Sequence, residues 1–170
     1  MIGGARSGKS ALAERLVAGT GRRPTVIVTA EVRDQEMAAR VAAHRLARGA
    51  DWSVIEAPQD LPGALARPAP GAVLVDCITL WLTNRMLAEA DLAGETAALL
   101  AALTASPAPV VVVTNEVGLS IVPENALARR FRDAQGRVNQ QIAARADLVI
   151  GVMAGLPFAL KGRLPPGVAA

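Results

Sequence analysis

The chain has 170 residues, 52% hydrophobic and 19% charged, with a formal net charge of +3, which suits one domain able to bury a core. It holds one histidine (His44), one cysteine (Cys77), no tyrosine, and Trp52, Trp81, Phe131 and Phe158 as its aromatics. That inventory excludes a zinc site of several His or Cys ligands, an intramolecular disulfide framework and a row of stacking platforms for single-stranded nucleic acid.

In chain order, the first feature is Gly3-Gly4-Ala5-Arg6-Ser7-Gly8-Lys9-Ser10, which fits G-x-x-x-x-G-K-[ST] at every fixed position. Only Met1 and Ile2 precede it. The strand that normally supports such a loop therefore reads as truncated, and reduced stability is expected at that edge. A helix over Ser10–Ala18 follows, carrying Leu12, Leu16 and Val17, then a strand over Thr25–Thr29 and a helix over Asp34–Arg48 with Met37, Val41 and Leu46. Strands are predicted at Ser53–Glu56 and Ala72–Asp76, leucine-rich helices at Ile78–Ala90 and Gly94–Ala105, and a strand at Val110–Thr114. A helix over Glu124–Ala146 places Leu127, Phe131, Ala134, Val138 and Ile142 on one stripe, and a strand over Leu148–Val152 ends the series. Pro68, Pro70 and Gly71, and Pro107 with Pro109, punctuate two strand entries. The alternation predicts an α/β fold, a mostly parallel sheet flanked by helices, with residues 1–170 as a single domain.

Lys9 and Lys161 are the only lysines, so the positive charge is mostly arginine and mildly spread. It points to anionic small molecules and to no nucleic-acid partner. The apolar stretches fall short of the roughly 18–20 residues of a membrane span, and no signal peptide is expected, because the glycine loop and Lys9 occupy the start. A cytoplasmic location is the expectation.

The chemistry of the loop is specific. Glycines let the backbone curl so that several N–H groups face one anion, and the following helix adds its positive end. Lys9 is expected to reach the β- and γ-phosphates of a nucleoside triphosphate, and the Ser10 hydroxyl to join a Mg²⁺ shell. Asp76 ends the apolar run Ala72–Val75, where a second Mg²⁺-organising carboxylate would emerge; the alternative is an aspartate capping the next helix. Asn115 and Glu116 follow another such strand and could face the same crevice. The segment Thr114-Asn115-Glu116-Val117 is not the Asn-Lys-x-Asp signature of switch GTPases. His44 shares a predicted helix face with Met37 and Val41, as a packing histidine would; yet Arg45 and Arg48 beside it suit phosphate oxygens, and a neutral imidazole is a competent nucleophile toward phosphorus. Arg129, Arg130, Arg132 and Arg137 read either as a solvated helix face or as a landing surface for an anionic second substrate, and Cys77 reads as packed core.

Taken together these segments resemble the bifunctional adenosylcobinamide kinase/adenosylcobinamide-phosphate guanylyltransferase family of cobalamin biosynthesis. The match runs from the loop through Thr29-Ala30-Glu31 and His44-Arg45-Leu46-Ala47-Arg48 to Trp52 and Glu56. It continues through Val75–Asn84, Thr114–Gly118, Pro123–Asn125, Phe131–Asp133 and Gly136–Gln140 to Ala154–Pro157. The resemblance implies a RecA-like P-loop fold and a homotrimer. It implies that ATP or GTP phosphorylates adenosylcobinamide and that GMP then passes from GTP, through a guanylyl-histidine, to give adenosylcobinamide-GDP. On this sequence it makes His44 the guanylylated residue, with Lys9 also catalytic. Nucleotide contacts would come from Gly3, Gly4, Ala5, Arg6, Ser7, Gly8, Lys9, Ser10, Thr29, Ala30, Glu31, Arg45, Leu46, Ala47, Arg48, Glu56 and Asp76, with Ser10 and Asp76 on Mg²⁺. Positions for the corrinoid, Arg129, Arg130, Arg132 and Asn139, rest on place in the chain alone. Two other readings share the loop: a RecA-like nucleic-acid-dependent ATPase, and a small-molecule P-loop kinase without the guanylyl step.

Overall fold

The computed structural model describes residues 1–31, 34–35, 38–39, 51–67 and 71–168. Seven strands form one sheet: β1 (Ile2–Gly3), β2 (Pro24–Val28), β3 (Ser53–Glu56), β4 (Ala72–Asp76), β5 (Val110–Asn115), β6 (Val149–Met153) and β7 (Leu156–Lys161). Five helices are described: α1 (Lys9–Ala18), α2 (Leu61–Ala66), α3 (Ile78–Leu87), α4 (Leu92–Ala105) and α5 (Ala126–Arg145). The strand order is β3-β2-β4-β5-β1-β6-β7. Every pairing is parallel except β6 with β7. The predicted α/β architecture is therefore the observed one. Of the predicted helix over Asp34–Arg48, most residues, His44 among them, lie outside the described residues.

Both faces of the sheet are covered, which is why β4 reads as an unbroken apolar run with Ala72–Val75 all buried. One face packs Ile27, Val73 and Val75 against Leu61, Trp81, Leu82, Leu99 and Val138 from α2, α3, α4 and α5. The other sets Val26, Leu74 and Val113 against Ala13 and Val17 of α1. Leu12 of α1 closes over Ile150 and Val152 on that same face. Trp81 has no solvent exposure, and its indole N–H donates to the Gln59 carbonyl at 3.1 Å, so it is a core residue with its polar end satisfied.

The first strand is short, as expected, but it does not lie at an edge. Although only two residues long, β1 is an interior strand, paired with β5 (Ile2 with Thr114, Gly3 with Asn115) and with β6 (Ile2 with Gly151, Gly3 with Val152). The anticipated edge is the middle of the sheet. A cavity of about 570 Å³ opens beside β1, lined in part by Met1, Leu100, Val110, Ile142 and Leu148. The Met1 ammonium donates to the Val112 carbonyl at 2.7 Å, and burial lowers its pKa from 8.0 to about 6.

That amine sets a pH dependence. A base whose pKa falls on folding binds its proton more weakly in the native state, so stability rises with pH between about 6 and 8. For a chain beginning at Met1, urea unfolding at pH 8 is expected to give about 2 kcal/mol more stability than at pH 6. Extending the chain by several apolar residues before Met1 should abolish that difference and raise the melting temperature. An unchanged melt would count against the cavity as a strand site.

Two elements were absent from the sequence reading. In α2, Pro62 and Gly63 weaken the helical pattern; the helix is held by the Asp60 side chain accepting from the Gly63 N–H at 2.8 Å and by burial of Leu61 and Leu65. In β7, the residues are mostly exposed and no apolar alternation marks it; it is set by antiparallel pairing with β6.

Candidate active site

The loop joins β1 to α1 at the carboxyl edge of the sheet. Its turn needs unusual backbone: Gly8 has φ 92° and Arg6 has φ 57°. Gly8 is also the N-cap of α1 and offers no side-chain acceptor, whereas Asp60, Asp91 and Asn125 cap α2, α4 and α5 through their side chains. The first-turn N–H groups of α1 are thus left facing the loop, the arrangement that receives phosphate. A hairpin braces it from the other end of the chain: the Gly155 N–H, in the β6–β7 turn, donates to the Ser7 carbonyl at 3.0 Å. A β-carbon on Gly8 would stand 3.3 Å from the Gly155 α-carbon, so the close approach needs glycine there.

Lys9 is buried, and its ammonium donates to the Gly4 carbonyl at 3.1 Å. Burial lowers its pKa, while the nearby Cys77 and Asp76 side chains oppose that shift. The Cys77 thiol is pushed up by burial and by Asp76, which keeps it protonated and inert. Lys9, Asp76 and Cys77 therefore share one neighbourhood. Asp76 ends β4 as predicted. The N-cap of α3 is Cys77, without a side-chain capping bond, so the capping alternative for Asp76 is not what the helix uses. Ser10 sits half-buried in the first turn of α1.

Thr29 locks the ends of β2 and β4 together. Its hydroxyl donates to the Cys77 carbonyl at 2.6 Å and accepts from the Cys77 N–H at 2.9 Å, and the peptide between Asp76 and Cys77 is cis. Asn84 of α3 donates to the Thr29 and Pro58 carbonyls, both at 2.9 Å. Thr29→Val keeps the shape and orphans the buried Cys77 N–H. The expected cost is about 2–3 kcal/mol, a melting temperature lower by roughly 4–10 °C in a thermal scan, with Thr29→Ser close to the parent.

Of the other residues assigned from the resemblance, Glu56 ends β3 in register with Val28, beside Asp76 across β2. Ala30 and Glu31 follow β2 at the same edge. The Glu31 carboxylate accepts from the Gln59 amide, whose oxygen accepts from Arg85 at 2.7 Å; Arg85 also pairs with Glu95 at 2.5 Å. The structure thus brings Gly3 to Ser10, Thr29 to Glu31, Glu56 and Asp76 to one edge. His44, Arg45, Leu46, Ala47 and Arg48 lie outside the described residues.

The corrinoid positions guessed from place in the chain fare differently. Asn139 is buried and committed: its amide donates to the Asn115 carbonyl at 3.0 Å, and its oxygen accepts from Thr114 at 2.7 Å and Gln135 at 2.9 Å. It fixes the end of β5 from behind and is not a surface contact. Arg129 donates to the Pro123 and Glu124 carbonyls, tying down the loop before α5, and Arg132 pairs with Asp133. Arg130 and Arg137 are exposed. The sequence reading missed Gln59, Thr79 and Gln135, which hold site segments in place. For Gln135 a signal existed: it stands four residues before Asn139, next to the apolar stripe of α5.

Residues 1–160 match the family model described as cobinamide kinase / cobinamide phosphate guanyltransferase. The chain belongs to that family. A bifunctional adenosylcobalamin biosynthesis protein CobP of Pseudomonas aeruginosa is 46% identical over 166 residues, covering 95% of this chain and 96% of the relative. Proteins named CobU, from Salmonella typhimurium and Escherichia coli, are 43% and 42% identical over 178 residues, with 95% of this chain and 98% of each relative covered. As a cobinamide kinase / guanyltransferase family member the chain is an enzyme of phosphoryl and nucleotidyl transfer, and the loop geometry fits a nucleotide substrate. The family assignment displaces the reading as a nucleic-acid-dependent ATPase. Among the described residues no helix is long and apolar enough to cross a membrane, and no cluster of three or more His, Cys, Asp or Glu side chains forms a metal cage.

Proposed function

We propose that both reactions use the one phosphate loop. ATP or GTP donates its γ-phosphoryl group to the alcohol of adenosylcobinamide; a His44 nitrogen then displaces pyrophosphate from the α-phosphorus of GTP and holds GMP, and the corrinoid phosphate takes GMP from that histidine to give adenosylcobinamide-GDP. The observation that carries this is the convergence of Lys9, Asp76 and the uncapped start of α1 on one loop in a chain holding a single histidine. Lys9 and the loop N–H groups hold the β- and γ-phosphates and stabilise pyrophosphate as it leaves. The His44 imidazole attacks the α-phosphorus, and Arg45 and Arg48 neutralise phosphate oxygens. Two successive displacements predict retention of configuration at that phosphorus.

Ser10 and Asp76 would hold Mg²⁺: a hydroxyl and a carboxylate flanking Lys9 are hard oxygen donors of the kind that bind the ion together with phosphates and water. The ion supplies charge neutralisation on the nucleotide when bound. Glu31, held by Gln59, and Glu56 line the nucleotide's side of the edge. A homotrimer is the assembly, supported by the exposed Leu119, Ile121 and Val122 in the loop after β5.

The test is direct. Purified protein given adenosylcobinamide and ATP should yield the phosphate ester by mass spectrometry, and with GTP should yield pyrophosphate and adenosylcobinamide-GDP. Formation of neither product would overturn the reading; the first alone would favour the kinase without a guanylyl step.

A further inference from the structure

The end of β5 is held more firmly than a connecting strand requires. The Asn115 N–H donates to the Thr79 hydroxyl at 2.9 Å, and the Asn115 carbonyl accepts from Asn139 at 3.0 Å. The neighbouring Thr114 N–H donates to the Met1 carbonyl at 3.0 Å, and the Glu116 N–H to the Gly3 carbonyl at 3.1 Å. Backbone groups on three consecutive residues are thus fixed by β1, α3 and α5. The Asn115 side-chain oxygen, by contrast, is buried and meets no donor among the described residues. A buried acceptor with no partner is a cost that a native fold seldom carries without a use.

Its position says what the use is. Side chains alternate along β5, so Thr114, which contacts Gln135 and Asn139 of α5, faces one side and Asn115 faces the other, toward α1. Asn115 is in parallel register with Gly3, so its side chain leaves the sheet on the side where Gly3 has none. Into that gap comes Ser7: its hydroxyl oxygen would lie 2.7 Å from a β-carbon on Gly3, and it too is buried without a partner. Two orphaned oxygens therefore sit on the loop side of the sheet. They differ in chemistry: a serine hydroxyl can donate to a phosphate oxygen, whereas an amide oxygen accepts only and would be repelled by one.

We propose that the Asn115 side-chain oxygen receives the hydroxyl of the phosphoryl acceptor and aligns it on the γ-phosphorus in the kinase step. This rests on the kinase activity described above and adds a residue to it. The alcohol oxygen forms the new bond to phosphorus, the bond from phosphorus to the β,γ-bridging oxygen breaks, nucleoside diphosphate departs, and the hydroxyl proton is released to water. Asn115 holds the O–H direction without taking the proton. The guanylyl step makes a different demand, because its acceptor is a phosphate, which offers no hydroxyl proton at neutral pH. Asn115 serves the first reaction and not the second.

The experiment uses the wild-type chain, Asn115→Ala and Asn115→Ser, each assayed twice: for phosphorylation of adenosylcobinamide by ATP, and for pyrophosphate release from GTP with adenosylcobinamide phosphate supplied. The expected result for Asn115→Ala is a 10- to 100-fold fall in kinase kcat/KM, guanylyl transfer within about twofold of wild type, and a melting temperature that does not fall, since an orphaned acceptor has been removed. Asn115→Ser, which retains a shorter acceptor, should lie between, and it decides by the same two assays if the alanine variant does not fold. Kinase activity unchanged in the variants, or both reactions reduced by the same factor, would overturn the proposal. A wild-type chain inactive in both assays would instead refute the family activity on which it rests.

Discussion

Replacing His44 with alanine is expected to abolish guanylylation while leaving phosphorylation of the alcohol largely intact. The two reactions differ in what they ask of the enzyme. Transfer of the γ-phosphoryl group needs positioning and charge neutralisation, which the loop, Lys9 and Asp76 can provide. Transfer of GMP in two displacements needs a nucleophile that survives as a covalent adduct, and the chain offers one imidazole. Incubation with GTP labelled at the α-phosphate should leave acid-labile, base-stable label on the wild-type protein and none on His44→Ala. Label persisting on the variant would place the adduct elsewhere. Loss of both activities together would show that His44 shapes the site and does not carry the nucleotide.

Lys9→Met should do the converse, damaging both reactions at once. Its ammonium is the buried cation beside Asp76 and is expected to meet the β- and γ-phosphates in either step. Removing one such fixed charge typically lowers the rate by about 10²–10³. Stability should move the other way. Burial lowers the pKa of Lys9, so the folded state holds the charge at a cost that methionine does not incur. The melting temperature of Lys9→Met is therefore expected to match or exceed that of the parent in the absence of nucleotide, and nucleotide should no longer raise it. A variant that melts lower yet keeps its response to nucleotide would assign Lys9 to structure.

The parts of this site written in short, fixed patterns were legible in the sequence. The loop declares itself because Gly8 takes a left-handed conformation and Gly3 leaves no room for a β-carbon, and Asp76 because a carboxylate follows four buried apolar residues. What holds those parts in place was not legible. Thr29 and Cys77 are 48 residues apart, and Gln59 and Arg85 are 26 apart. Such pairs follow from strand order, which spacing does not reveal. The same limit hid the interior place of β1, which is paired on both sides, with β5 and β6. Asn139 was read from its place in the chain alone, whereas its position on the inner stripe of α5 commits it to Thr114, Asn115 and Gln135.

The interior place of β1 also bears on when the protein becomes competent. The phosphate loop is synthesised well before the strands that support it: β1, which anchors it, is clamped by β5 and β6, more than 100 residues later, and its brace is the turn at Gly155. Contacts so distant in sequence form slowly and only once both partners exist. A ribosome-bound chain arrested before β6 should therefore bind no nucleotide even with the whole glycine motif exposed. Binding should begin only as β6 and β7 emerge, so the loop is made long before it can acquire its function.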